Sequence, residues 1–116
     1  MSMMDEQIDW QRRAVMALDS AIASRRLISY AELAVTAQIP PPHRIHKLTM
    51  WLETLIVDDH QSAKPLRAAW VVSRQSGQIP APGFFMKCRE LGLYNGPVRG
   101  AKAEAFHRIS LAQHPA

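Results

Sequence analysis

Cysteine is almost missing from this chain. Cys88 is the single one in 116 residues, which excludes an intramolecular disulfide and a cysteine-built zinc cluster. It lies in MKCRE, a helical composition, where a half-buried structural thiol is expected rather than a reactive nucleophile. Long apolar runs are missing too. No stretch reaches the eighteen or so residues a membrane helix needs. The opening MSMMDEQIDW is acidic and polar, where a secretory leader is basic and then apolar, so a cytoplasmic location is expected. Glycine is scarce, with five residues, and none belongs to a phosphate-cradling loop or a serine nucleophile elbow; zinc-protease patterns are absent as well. The reading is therefore non-enzymatic, with no catalytic residue and no cofactor expected.

Acidic residues become scarce along the chain. Residues 1–60 hold eight acids against six Lys/Arg, a balance of −2, and residues 61–116 hold two against eight, a balance of +6. The net charge of +4 and pI near 9.7 are compatible with a polyanionic partner.

The stretch around which the rest is organised runs from Ser29 to Thr54. Ser29 followed by Glu32 fits a capping box, so a helix starts there. Pro40, Pro41 and Pro42 end it by removing three backbone donors. A second helix then begins near Pro42 or His43, with Ile45, Leu48, Leu52, Leu55 and Ile56 on one stripe. Its other face carries His43, His46, Lys47 and Met50.

The flanking segments complete the order. Asp5 to Ser24 is predicted as a helix with Ile8, Val15, Leu18 and Ile22 toward the core, while Trp10 and Met16 fall off that stripe. Asp5, Glu6 and Asp9 near its start and Arg25 and Arg26 near its end complement the helix dipole, and that account is preferred for the two arginines over a contact to phosphate. Residues 58–65 read as a loop. Leu66 to Ser73 reads as a strand, and Gly77 as the turn into a returning edge strand at residues 78–82. Phe84 to Leu91 is predicted helical with Gly92 as its terminating glycine, and a last helix from Ala101 to about Gln113 buries Ala105, Ile109 and Phe106 before a frayed tail.

The expected fold is mostly α with a small β-hairpin, a winged helix-turn-helix with extra N- and C-terminal helices. One domain spans 1–116: an N-terminal helix (1–28), the helix-turn-helix (29–60), a wing hairpin (66–82) and C-terminal helices (84–116). In that arrangement the second helix of the pair enters a major groove. His43, Arg44, His46 and Lys47 at its start are then the candidate contacts to phosphates or base edges, with Arg74 at the wing tip. His43 and His46 are spaced to share a metal ion, but no third ligand is fixed by spacing, and no metal is expected.

The order SYAELA, an arginine in the next helix, then a strand and a glycine turn resembles the C-terminal DNA-binding domain of the alkylguanine-DNA alkyltransferase and alkyltransferase-like family. That family shows a T-Y-G-x-I-A helix, an arginine fifteen residues past its threonine, and a Pro-Cys-His-Arg-Val strand. Ser29 and Tyr30 match the opening, and Arg44 falls at the arginine's spacing. The resemblance covers roughly residues 29–80. It implies that Tyr30 helps rotate a target phosphate and that Arg44 fills the gap left by a flipped nucleotide. Ala31 stands where the family has glycine. The segment facing its reactive motif reads Arg67, Ala68, Ala69, Trp70, Val71, without cysteine or histidine, and Cys88 comes about twenty residues too late, so alkyl transfer is not implied.

The expectation is a non-enzymatic duplex DNA-binding protein of the kind found among small bacterial transcriptional regulators, with Tyr30, His43, Arg44, His46, Lys47 and Arg74 as its contacts. Two alternatives stand beside it. One is an interaction module, including a homodimer, that uses a patch around Trp10, Met50 or Trp51. The other is an alkyltransferase-like sensor of modified bases.

Overall fold

Ser29 closes one element and opens the next. In the computed structural model, which describes the backbone of residues 3–115 and the side chains within that range except those of 3–7 and 76, it ends strand β1 (Ile28–Ser29) and caps helix α2 (Tyr30–Thr36). Its hydroxyl accepts the Glu32 N–H at 3.0 Å, and the Glu32 carboxylate reaches back to the Ser29 N–H at 3.5 Å. The capping box is formed as its spacing predicts. A turn containing a cis Pro41–Pro42 bond leads into helix α3 (Arg44–Gln61).

Helix α1 (Met3–Ala23) packs against α2, and its buried face is Trp10, Ala14, Leu18 and Ala21. This corrects the predicted stripe: of its members only Leu18 is fully buried, Ile8 is exposed, and Trp10 is inside, edge-on to Trp51 with ring centroids 5.8 Å apart. The reason is size. Two alanines on the stripe let α1 approach closely, whereas a stripe drawn through the bulkiest side chains passes them over. Asp5 and Glu6, the acids expected in the first turn, lie outside the described side chains.

Helix α3 buries Leu48, Leu52, Leu55 and Ile56 as expected, but Ile45 at its start is exposed. It also runs four residues into the predicted loop, to Gln61, because Asp59 is not a surface acid. At 2% exposure its carboxylate accepts the backbone N–H of Arg67 at 3.0 Å and the Arg67 guanidinium at 2.8 and 3.1 Å. That fork fixes the chain entering the next segment, and it raises the Arg67 pKa above the ordinary arginine value.

Residues 66–82 depart most from expectation. A 3₁₀ turn (Arg67–Trp70) leads into β2 (Val71–Val72), which pairs parallel with β1 in the register Ile28 to Val71 and Ser29 to Val72. A second 3₁₀ turn follows (Arg74–Ser76), and an isolated antiparallel bridge, Ser73 to Ile79, is what stands in place of the hairpin. A wing needs one exposed face, and Leu66, Ala68, Ala69, Trp70, Val71 and Val72 are all buried. This segment runs through the core.

Helix α4 (Pro82–Glu90) starts with proline at its first position and buries Phe84, Phe85 and Cys88. Helix α5 (Ala101–Ala112) is rotated from the predicted register. Ala103, His107 and Ser110 face inward, Phe106 packs against the core, and Ile109 is exposed. His107 Nε2 donates to the Ala69 carbonyl at 2.8 Å, and His114 Nε2 donates to the Leu66 carbonyl at 2.9 Å. A carbonyl only accepts, so both protons sit on Nε2. Burial holds the His107 pKa below its usual value. The tail is anchored rather than frayed: Arg25 donates to the His114 carbonyl at 2.9 Å and lies 5.0 Å over the Trp70 ring. Arg25 thus serves the C-terminal end of α5 as well as its own helix.

Four successive helices end alike. After α1, α2, α3 and α4 a residue of positive φ (Arg25, Gln38, Ala63, Gly92) turns the chain, and the next N–H reaches back to the carbonyls of Ala21, Ala34, Asp59 and Cys88. Each is a Schellman termination, and the fourth alone uses glycine.

The described residues form five α-helices and a two-stranded parallel sheet, a mostly helical class as expected. One apolar cluster runs from Trp10 to Ala103 through every helix. No helix is long and apolar enough to cross a membrane.

Candidate nucleic-acid interface

The parallel pairing brings the Val72–Gln75 segment beside the start of α2, and the proline turn sets the first turns of α3 across from both. Between them lies an open groove of about 670 Å³, lined among others by Tyr30, Val35, Ile45, Thr49, Val72 and Arg74. That volume falls within the range of small-molecule sites, about 300–1,000 Å³. Apolar surface dominates its walls because Val35 and Ile45 are left exposed. The Thr49 hydroxyl is turned back onto the Ile45 carbonyl at 2.8 Å.

Tyr30 forms part of this groove. Its hydroxyl accepts the Ala81 N–H at 3.0 Å, which leaves the hydroxyl's own proton free to donate. Burial raises its pKa, and the Ala81 bond offsets only part of that, so the phenol stays protonated and can act as a donor.

The basic candidates separate into two groups. Arg74 lies on the groove rim, exposed, with its Nη2 3.4 Å from Glu32. Arg44 and Lys47 first serve the proline turn: Arg44 Nε donates to the Ile39 carbonyl and Lys47 Nζ to the Pro40 carbonyl, each at 2.9 Å. Prolines leave those carbonyls without a regular backbone donor, and the two cations supply it. Arg44 remains exposed and Lys47 half-buried. His43 occupies the N-cap of α3 at φ 61 without a side-chain capping bond, and His43 and His46 are both exposed. Tyr30 and Arg74 therefore share one groove, to which α3 contributes Ile45 and Thr49, while Arg44 and Lys47 are turned to the proline turn and His43, Arg44, His46 and Lys47 do not line the groove.

Sequence reasoning missed Val35 and Thr49, which carry no motif, and Glu32, which was read for its capping role alone. It preferred helix-dipole compensation for Arg26 over a phosphate contact and did not foresee its pairing with Glu32, whose Oε2 lies 3.2 Å from Arg26 Nη1. Burial would lift the Glu32 carboxyl, but the Ser29 N–H, Arg26 and Arg74 outweigh it and hold the pKa below the ordinary value.

The one thiol is outside the groove. Cys88 is wholly buried in α4, and burial pushes its pKa up to about 12. Among the described residues no three His, Cys, Asp or Glu side chains gather as a metal site requires. The tryptophans of the alternative contact patch are not free either, since Trp10 is inside and Trp51 packs on it. Met50 is exposed.

No family model, no curated protein and no solved structure matches the chain.

Proposed function

We propose that this chain is a non-enzymatic duplex DNA-binding protein, using the first turns of α3 with Tyr30 and Arg74 around the groove. The observation that carries the proposal is the groove itself. A tyrosine, an exposed arginine and the Ile45–Thr49 side of a long helix line one apolar concavity, and the basic residues at the start of that helix precede and follow Ile45 in the chain. Cations at its edge meet phosphates, and the concavity sits where α3 would face base edges.

A second reading rests on the same concavity, which has room for an extruded base. Reading of that kind uses apolar and aromatic walls. It agrees with the likeness of Ser29, Tyr30 and Arg44 to the alkyltransferase-like pattern. The segment that would carry that family's reactive motif lies next to the sheet strand, with Ala68 and Ala69 buried. The role would be recognition without alkyl transfer.

The test is fluorescence anisotropy of labelled duplex, plain or carrying one alkylated guanine, at two salt concentrations. Wild type, Arg74→Ala and Val35→Trp are compared, with circular dichroism as the folding control. Val35 is 76% exposed, so tryptophan there fills the groove without straining the core. Salt-sensitive binding of plain duplex, weakened in Arg74→Ala, is the expected result. A preference for the alkylated duplex that Val35→Trp removes establishes the second reading. Absence of binding at low salt overturns both, and sedimentation then tests the interaction-module alternative through a concentration-dependent mass.

A further inference from the structure

Glu32 gathers two arginines from distant parts of the chain onto one carboxylate. Arg26 follows α1 and meets Oε2 at 3.2 Å, and Arg74 comes from the 3₁₀ turn after β2 and meets Oε1 at 3.4 Å. The parallel pairing of β1 with β2 is what brings the two segments together. Both arginine side chains remain largely in solvent, at 58% and 70% exposure, and Glu32 itself is 40% exposed. Such exposed pairs add little stability, about 0–1 kcal/mol. The trio carries a net charge of +1, at the rim of the groove that Glu32 and Arg74 both line.

We infer that Arg26 and Arg74 form a two-arginine phosphate site in which the Glu32 carboxylate stands where a backbone phosphate binds, so that Glu32 restrains sequence-independent attachment to DNA. This rests on the DNA-binding reading above. A carboxylate and a phosphate offer guanidinium groups the same kind of acceptor, so an incoming phosphate competes with Glu32 for the same donors. When it wins, the displaced carboxylate faces a second anion and opposes binding. The site then engages fully only where other contacts in the groove contribute, and plain duplex is held more weakly than two arginines alone would hold it.

The side chain that performs the restraint can be changed without losing its structural task. Glutamine serves the capping box as glutamate does, so Glu32→Gln removes the charge and keeps the start of α2. Anisotropy titrations of labelled plain duplex across a salt series, on wild type, Glu32→Gln, Arg26→Ala and Glu32→Gln/Arg26→Ala, test the idea, with melting curves as the folding control. Glu32→Gln is expected to bind several-fold tighter at low salt. Its log–log salt dependence should steepen by about 0.9, the value for one further phosphate contact. Arg26→Ala in the Glu32→Gln background should reverse part of the gain in both affinity and slope. If wild type binds and Glu32→Gln, with an unchanged melting curve, binds no tighter and no more steeply, the inference is overturned while the DNA-binding reading stands. If no variant binds at low salt, both fall.

Discussion

Asp59 is the one buried carboxylate among the described residues, and the buried end of α3 depends on what it does there. It takes three N–H donors from Arg67, one from the backbone and two from the guanidinium. Removing the acid leaves a partly buried guanidinium and a backbone donor without their acceptor. Breaking a buried pair costs about 3–5 kcal/mol, and because the Arg67 side chain is still 30% exposed the expected loss for Asp59→Ala is nearer 2–3 kcal/mol. Urea melts should show this as a lower midpoint with little change in slope. Adding Arg67→Met should recover only part of it, since the Arg67 backbone N–H stays unsatisfied. A loss under about 0.5 kcal/mol for Asp59→Ala would mean that the pair is an ordinary surface bridge. The same reasoning applies to Arg44 and Lys47. Each is tied to a carbonyl of the proline turn, so a weakening of DNA binding in Arg44→Ala is interpretable only beside a melting curve.

At the scale of elements, the Schellman endings make a prediction about backbone strain. Ala63 holds the left-handed position after α3 at φ 54, is exposed, and makes no contact that glycine would lose beyond its methyl group. Left-handed geometry costs a residue with a Cβ roughly 1 kcal/mol relative to glycine, and glycine's greater unfolded-state freedom takes some of that back. Ala63→Gly is therefore expected to stabilise by about 0.5 kcal/mol, read as a higher urea midpoint. A glycine at an exposed helical position of α3, Thr54, should destabilise by a similar or larger amount and serves as the opposing control. These endings also show what the sequence could and could not reveal. The start of α2 was legible because Ser29 and Glu32 carry a local signature, and the end of α4 because Gly92 does. The end of α3 was not, because alanine marks no turn and Asp59 looked like a surface acid. The hairpin reading of residues 66–82 failed for a related reason. A buried apolar run between turn residues looks the same in an edge ribbon as in a 3₁₀ turn packed against α5 and leading into a short buried strand, and His107 and His114, which bond the carbonyls of Ala69 and Leu66, lie 38 and 48 residues further on. For the candidate site, Tyr30 and Arg74 were legible as residues. The groove they share was not, since it depends on a long-range parallel pairing.

Over the whole molecule, the charge split along the sequence does not carry over directly to the surface. Part of the second half's positive excess is taken up by acids of the first half, with Arg67 on Asp59 and Arg74 on Glu32, so the field available to a polyanion is smaller than a balance of +6 suggests. The fold as a unit can be followed through its single thiol. Cys88 lies within the same cluster as Phe85, Leu52 and Ala103, and with its pKa pushed up to about 12 it offers almost no thiolate at neutral pH. Labelling by a disulfide reagent therefore requires an opening that exposes α4. If the core opens only as a whole, the native protein should react orders of magnitude more slowly than the unfolded chain. The logarithm of its rate should then rise with urea along a slope equal to that of equilibrium unfolding. Fast labelling that is insensitive to urea would show instead that α4 detaches alone. In that event the groove, whose Tyr30 is bonded to Ala81 at the start of α4, would open with it, and the DNA-binding measurements would have to be read on a site that is only partly assembled.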